Sequence, residues 1–331
     1  MSAKEVLVTG GVLRPEGFSL GEGRYYGKAC LVKLDLIENT VENLVEMAEG
    51  NEHYPEEYPN LQFTAGCLEG DRLWLPTDTE IRLYDRNSFK LLKVFSHPCF
   101  HNIHSVALND DKLYVTSTGL DMVVILNKEN GEIIEYINAE GKPVWHRFSR
   151  DVDYRKMHST RPHDCHPNFV YWMDGEPWIT RCTQEDTVSM YSPEKIIDLS
   201  GPDKEISVHD GIVRDNDVYF TSVDGCLIVL DMRTKKVKET IEVFKYDGYG
   251  GLRGWCRGLY LDGDIFYMGF SRLRKTKSIT KLKWMHRFTG KGAVYENCNI
   301  LGFDIVKRKI VYDYLFPDGV IDAIYTILPA K

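Results

Sequence analysis

Residues 105–117 read SVALNDDKLYVTS, and residues 210–222 read DGIVRDNDVYFTS. The two segments align without a gap, and each has an apolar stretch, a short turn rich in Asp and Asn, and an aromatic-rich stretch. Two such stretches separated by a tight turn of this composition are typical of a β-hairpin. The pair therefore indicates that the chain repeats one hairpin.

Further copies of this hairpin occur along the chain. Residues 65–77 (AGCLEGDRLWLPT) and 258–270 (GLYLDGDIFYMGF) fit the same frame, and residues 166–181 fit it with two extra residues. A second apolar hairpin follows four of the copies; these hairpins cover residues 81–95, 123–134, 227–241 and 301–312. Repeats of four short strands predict the blades of a β-propeller.

The two ends of the chain supply one more blade. Residues 4–10 resemble the second strand of a repeat without a first, and residues 320–326 resemble a first strand without a second. Joined together, they leave no free sheet edge in the ring. Residues 30–35 and 41–45 then form the outer strands. Apolar residues between positions 37 and 48 also share helical spacing, and we prefer a strand there because the other repeats have one.

The predicted fold is therefore all-β: a single-domain, six-bladed β-propeller with four-stranded blades, closed by the N- and C-terminal strands in one blade. The predicted blades cover residues 4–47 with 320–328, then 61–96, 102–138, 164–200, 206–244 and 255–315. Over nearly the whole chain, at the level of architecture, this pattern resembles the metal-dependent propeller lyases and lactonases. The resemblance extends to no sequence motif of those enzymes, and a propeller fold by itself does not assign a function.

Composition restricts the class of protein. The 331 residues carry 41 Lys and Arg against 49 Asp and Glu, a net charge of −8, which disfavours a nucleic-acid-binding protein. No apolar run approaches the ~20 residues of a membrane span. The eight cysteines form no CxxC pair and several lie in apolar stretches, so we expect reduced thiols and a cytoplasmic location.

The repeat frame places one residue of each blade at the start of its innermost strand, where the strand meets one mouth of the central channel. Around the ring, this column holds Asp322, Thr64, His104, His166, His209 and Arg257. Three imidazoles at one height form a plausible facial site for a divalent transition metal ion such as Zn, Fe, Mn, Ni or Cu. The predicted metal ligands are therefore His104, His166 and His209.

Neighbouring residues fit supporting roles. His101 and His163 each precede a column histidine by three residues, and Asp164 and Asp210 are close enough in sequence to orient imidazole N–H groups. We expect Arg257 to bind a carboxylate or phosphate of the substrate. Asp322 is a candidate fourth ligand or general base, and Asp210 is a candidate proton carrier.

Two alternatives stay open. Polar residues at a channel mouth can simply bind water, and strict alignment from the hairpin turn places Asn168 rather than His166 in the column.

Long connections gather on the same face of the predicted ring, at residues 11–27, 48–60, 139–161, 245–254 and 271–295. The last of these is rich in Lys and Arg without an acidic residue, and it is either an anion-attracting surface or a solvated loop.

We therefore expect a metal-dependent enzyme that acts on a small anionic molecule at the channel mouth. A lyase, hydrolase or isomerase suits a redox-silent ion, and an oxygenase suits iron. The alternative is a non-catalytic propeller that binds a protein or a small ligand through its long-loop rim.

Overall fold

Each repeated hairpin forms the two inner strands of a four-stranded antiparallel sheet. The computed structural model describes residues 4–200, 207–246, 251–273, 293–294 and 297–331, and these residues form six such sheets arranged as the blades of a β-propeller. The predicted all-β, six-bladed fold is therefore confirmed.

Strand order within the blades follows the chain. The N-terminal strands are β1 (Glu5–Leu13), β2 (Tyr26–Asp35) and β3 (Val41–Met47). The next two blades consist of β4 (Cys67–Glu69), β5 (Arg72–Pro76), β6 (Ile81–Asp85) and β7 (Leu91–Phe95), then β8 (Ile103–Asn109), β9 (Lys112–Ser117), β10 (Met122–Asn127) and β11 (Ile133–Asn138). The following two consist of β12 (Pro167–Met173), β13 (Glu176–Arg181), β14 (Asp186–Ser189) and β15 (Ile196–Asp198), then β16 (Val208–Arg214), β17 (Asp217–Ser222), β18 (Cys226–Asp231) and β19 (Lys236–Glu242).

A separate pair of short strands accompanies the last complete blade. The short strands β20 (Gly251–Leu252) and β23 (Ala293–Val294) pair in parallel outside the blade, whose own strands are β21 (Cys256–Asp262), β22 (Ile265–Phe270), β24 (Asn299–Asp304) and β25 (Lys309–Leu315). The chain ends in β26 (Ala323–Pro329).

Strand β26 closes the ring by pairing antiparallel with β1, so that the order in this blade is β26-β1-β2-β3. Thr9 lies opposite Thr326 and Val8 lies opposite Ile327. The segment with two predicted conformations, residues 37–48, contains β3 and no helix. The strand prediction for it is therefore confirmed.

The tight turns between the first and second strands explain the Asp- and Gly-rich repeats in the sequence. Each of these turns has a residue with a left-handed backbone, at Gly70, Asp110, Asp174, Asp215 and Gly263, with φ between 53° and 58°, and Gly175 adds a second one after Asp174. Two-residue hairpin turns require positive φ, which Gly, Asn and Asp tolerate best.

The apolar core lies between blades. In the described residues, each neighbouring pair of blades shares one buried apolar cluster; the cluster between the second and third blades, for example, includes Trp74, Ile81, Val106 and Val115. Trp74 also stacks on Phe95, with ring centroids 5.9 Å apart. Because blade-to-blade packing buries these side chains, the residues facing the central channel are free to be polar.

Helical structure is limited to short connections: α1 (Gly17–Leu20) and three 3₁₀ turns at Thr118–Leu120, Tyr154–Lys156 and Val243–Lys245. None of the helices in the described part of the chain has the length and apolar character needed to span a bilayer.

Candidate functional site

Breaks in strand register occur where the innermost strands approach the channel mouth. Between β8 and β9, Ile103 pairs with Ser117 and Val106 with Val115, which leaves His104 and Ser105 in a bulge. Similar breaks occur at Asn168 in β12, at Asp210 in β16 and at Gly258 in β21. A β-bulge bends the strand and re-aims a side chain. These bulges therefore present polar groups from successive blades on one side of the ring.

His104 is buried in the cluster at this mouth. Its Nδ1 atom lies 3.0 Å from the carbonyl oxygen of Asn102. Because a carbonyl can only accept, Nδ1 carries the proton and Nε2 offers a lone pair. Burial, followed by the positive charge of Arg257, lowers the pKa of His104 to about 3. At neutral pH the ring is therefore a neutral imidazole with an available Nε2.

His166 meets His104 from the next blade. Its Nε2 atom lies 3.2 Å from Nε2 of His104, and its Nδ1 lies 2.7 Å from Nδ1 of His163. The sequence left open whether His166 or Asn168 takes this position. Asn168 instead donates from Nδ2 to the carbonyl of Val208 at 2.8 Å. It is therefore the imidazole of His166 that contacts His104, and Asn168 joins two neighbouring inner strands.

His209 completes the group from the following blade. Its ring stacks against that of His104, with centroids 6.0 Å apart and planes 21° apart. Burial, and then Arg257, lowers the pKa of His209 well below its usual value; burial and His104 do the same for His166. The three predicted ligands thus lie together as neutral rings, with the close nitrogen contact between His104 and His166.

Arg257 lies beside these rings and is 7% exposed. Its guanidinium carbon is 4.8 Å from the ring centroid of Tyr325 and 5.3 Å from that of Trp255. Among the described residues, no carboxylate forms an ion pair with Arg257, and its buried Nε has no hydrogen-bond partner. A buried cation of this kind favours an anion brought in from outside.

The two predicted acids are engaged by the framework. Asp322 accepts from the backbone N–H of Leu13 at 2.9 Å and from Arg272 at 2.9 Å. Asp210 accepts from the hydroxyl of Thr221 and from the backbone N–H of Gly258. Burial raises the pKa of Asp210 to about 6, so this carboxyl titrates close to neutrality. In the described part of the chain, neither carboxylate makes a direct contact with the three histidines.

The three predicted supporting residues lie in different places. His163 contacts His166 directly. His101 donates from Nε2 to the carbonyl of Met157 at 3.1 Å, and burial lowers its pKa to about 4. Asp164 lies in another group: ligand atoms of Glu140, His146 and Asp164 are within 4.8 Å of one another.

Positive side chains already surround the carboxylates of that group. Lys142 is 2.7 Å from Glu140 and 3.3 Å from Asp164, and Arg147 is 3.0 Å from Asp164. Among the described residues, this is the only set of three His, Cys, Asp or Glu side chains whose ligand atoms all lie within 4.8 Å of one another. The side-chain nitrogens of His104, His166 and His209 are therefore spaced more widely than this. His104 and His166 are in contact, and His209 stacks on one side of His104.

Two groups beside the site had no sequence signal in the repeat frame. The hydroxyl of Tyr325 donates to Oε1 of Gln62 at 2.7 Å, and Nε2 of Gln62 donates to Asp78 at 2.7 Å. This chain holds the Tyr325 ring against Arg257. The second group is Asp121, which directly follows the 3₁₀ turn Thr118–Leu120, outside the aligned strands, and accepts from the backbone N–H of His166. No sequence pattern marks a turn carboxylate that accepts hydrogen bonds from several backbone N–H groups, so the role of Asp121 is visible only in the structure.

Part of the predicted rim cannot be described. Most of the basic segment at residues 271–295, and part of the glycine-rich segment at residues 245–254, lie outside the described residues. Arg272 is the described member of the basic set, and it pairs with Asp318 at 3.1 Å as well as with Asp322.

Known proteins share the architecture of this chain at low sequence identity. A solved protein of unknown function from Bacteroides caccae superposes with a TM-score of 0.59 at 11% identity, covering 98% of both chains. A chain from a solved nidogen–laminin complex superposes with a TM-score of 0.55 at 10% identity, covering 98% of this chain and 97% of that chain. No family model and no curated protein sequence matches the chain. These similarities concern the propeller fold alone.

Proposed function

We propose that this propeller is a metal-dependent enzyme that acts on a small anionic molecule at the channel mouth. The observation that carries the proposal is the 3.2 Å separation of Nε2 of His104 from Nε2 of His166. Two nitrogens bound to one tetrahedral Zn²⁺ at 2.0–2.1 Å lie about 3.3 Å apart. The pair is thus spaced as two ligands of one ion are.

The chemistry of the donors also fits a metal ion. A ligating histidine usually donates its other ring N–H to a carbonyl, carboxylate or water, and Nδ1 of His104 donates to the carbonyl of Asn102. Without an ion, Nε2–H of His166 donates to Nε2 of His104. With an ion, both Nε2 lone pairs would face it, and His209, whose ring stacks on that of His104, would be the third predicted ligand. A bound ion of this kind polarises a carbonyl or activates a water molecule.

Arg257 would bind the anionic group of the substrate. Its planar guanidinium presents paired N–H groups that match a carboxylate or phosphate. Stacking on Tyr325, which Gln62 holds by a hydrogen bond, fixes its plane. The substrate would therefore be oriented by its charge, with its reacting group toward the neutral imidazoles.

Asp210 is the residue suited to hold or move a proton. It follows the proposed ligand His209 directly in the chain, and its carboxylate accepts a hydrogen bond from the hydroxyl of Thr221. A lyase, hydrolase or isomerase would use such a proton carrier with a redox-silent ion, and an oxygenase would require iron. Asp322, bound by Leu13 and Arg272, has a role in ring closure instead.

Metal and anion binding test the proposal separately. Purified wild type is analysed by inductively coupled plasma mass spectrometry and titrated with Co²⁺, whose visible spectrum reports imidazole coordination. We expect one ion per chain, lost in both His104→Ala and His166→Ala. Arg257→Gln should keep the Co²⁺ spectrum and lose binding of a small anion, with citrate and inorganic phosphate as probes. Wild type that binds no Zn²⁺, Co²⁺, Mn²⁺ or Fe²⁺ would remove the basis for a metal enzyme.

One observation favours a second candidate function, a non-catalytic propeller that binds a small anion. Both Asp210 and Asp322 already accept hydrogen bonds from the framework, and a site that only binds an anion needs no free acid or base. This function predicts that Arg257 binds the anion in wild type treated with chelator, with the same affinity as in untreated protein.

A further inference from the structure

Asp121 has an unusual position next to the histidine cluster. It ends the 3₁₀ turn Thr118–Leu120 with a left-handed backbone, φ 54°, and its side chain is fully buried. Its carboxylate accepts hydrogen bonds from three successive backbone N–H groups: Asp164 at 2.9 Å, Cys165 at 3.0 Å and His166 at 3.0 Å. One side chain of the third blade thus binds the whole turn that leads into the fourth.

That turn requires an external hold because of its own backbone. His166 has φ 53°, a left-handed conformation that costs a residue other than glycine free energy and persists only when its surroundings impose it. The amide of this same residue is bound by Asp121. The side chain of His166 leaves the backbone at this strained residue, so its direction depends on the conformation that Asp121 stabilises.

We infer that Asp121 is a positioning residue that sets the imidazole of His166 against that of His104. The expected effect of Asp121 on metal binding rests on the proposed function. Three charge-assisted hydrogen bonds to consecutive amides fix the turn more firmly than any one of them. Removing the negative charge should therefore move Nε2 of His166 away from Nε2 of His104 while the blades themselves stay intact.

Arg147 balances the buried charge and also contacts the turn, because it donates to the carbonyl of Pro162. Its Nη1 lies 2.6 Å from Oδ2 of Asp121 and 3.0 Å from Oδ1 of Asp164. The side chain of Arg147 is 22% exposed, so solvent and salt replace part of its effect. Arg147→Gln keeps the carboxylate and all three amide contacts. It should therefore disturb the geometry of His166 less than Asp121→Asn does.

The test compares Asp121→Asn with a matched carboxylate elsewhere. Asp304 is also buried, accepts from the amides of Val306 and Lys307 at 3.1 and 2.8 Å, and pairs with Lys307. It is the last residue of β24, just before the turn to β25, so Asp304→Asn removes a similar cap from another blade end. For Asp121→Asn we expect a 10- to 100-fold weaker Co²⁺ affinity, the usual cost of losing an outer partner of a metal ligand. Asp304→Asn should keep wild-type affinity.

A second readout is independent of the metal. In metal-free, ¹⁵N-labelled protein, the ring resonances of His166 report its hydrogen bonds to His163 and His104. We expect these resonances to shift in Asp121→Asn, to shift less in Arg147→Gln and to stay at wild-type values in Asp304→Asn. Unshifted His166 resonances in folded Asp121→Asn would overturn the inference, whereas wild type that binds no Co²⁺ would overturn the proposed function alone. If Asp121→Asn does not fold, Asp121→Glu replaces it, because it keeps the charge and moves the carboxylate by one methylene: shifted His166 resonances there support the inference, and wild-type resonances contradict it.

Discussion

Gly119 lies so close to the imidazole of His101 that a Cβ at residue 119 would be 2.0 Å from Nδ1 of the ring. The backbone N–H of Gly119 also donates to the carbonyl of His101 at 3.0 Å. The ring cannot easily retreat, because its Nε2 is bonded to the carbonyl of Met157. Residue 119 therefore has to be glycine for reasons of space.

Gly119→Ala should lower the free energy of unfolding by about 1–3 kcal/mol, the usual cost of overpacking a buried site. Denaturant unfolding of the two proteins measures the difference. In a His101→Ala background the same change should cost much less, because the ring that the methyl group meets is gone. An equal cost in both backgrounds would show that the contact does not explain the effect.

His101 should also make stability depend on pH. Its pKa is lowered to about 4, so the folded state stays neutral where the unfolded chain, with a pKa near 6.5, takes up a proton. Its contribution is therefore complete above pH 6.5 and is lost as the pH falls toward 4. Between pH 7 and pH 5 the loss is about 2 kcal/mol, at 1.36 kcal/mol per pKa unit.

Denaturant unfolding of wild type and His101→Gln at both pH values isolates this contribution. We expect the decrease from pH 7 to pH 5 to be about 2 kcal/mol smaller in the variant. Asp78 and Asp210, whose pKa values burial raises to about 6, act in the opposite direction, but equally in both proteins. Parallel pH profiles for the two proteins would contradict the prediction.

The closing blade provides a prediction about the fold. Deletion of residues 319–331 removes β26, which includes the buried Ile324 and Ile327, and exposes the edge of β1. We expect insoluble or strongly destabilised protein, as judged by gel filtration and thermal melting. Deletion of residues 330–331 is the control and should leave both measurements unchanged. A protein without β26 that melts like the full chain would refute the closure.

The histidines of the cluster should differ in their effects on metal affinity. Nε2 of His104 and Nε2 of His166 already face each other, whereas His209 stacks to the side of His104. Co²⁺ titration should therefore show loss of binding in His104→Ala and a smaller decrease in His209→Ala. Thermal stability in the presence of chelator should change little in His209→Ala. Full Co²⁺ affinity in His104→Ala would argue against this pair of ligands.

The fold was predictable because the same hairpin pattern occurs several times in the sequence. The hairpin in residues 105–117 recurs in other blades, so one ambiguous segment, residues 37–48, could be assigned by analogy with the rest. Turn positions such as Asp110 and Asp215 have the residues that positive φ favours. Repetition, together with turn chemistry, thus determined both the blade architecture and the manner of closure.

The site was only partly predictable, because bulges and turns interrupt the repeat there. The frame places His104 and Arg257 close together, as the structure does, but it does not choose between His166 and Asn168, since the strand register breaks between Pro167 and Phe169. It also placed Asp322 at the channel, where the structure uses its carboxylate for Leu13 and Arg272. Asp121 lies outside the repeated hairpins, and its three amide contacts depend on tertiary structure that no periodicity encodes.

The pairing of β26 with β1 also has a consequence for how the chain folds during its synthesis. Leu13 and Asp322, joined by a hydrogen bond across this blade, are 309 residues apart in the chain. During synthesis, β1 has to wait for its partner until the 309 residues that follow Leu13 up to Asp322 have been added. Contacts so distant in sequence are slow to form, and an unpaired strand edge invites association with other chains. The nascent chain should therefore depend on chaperones until its last strand arrives.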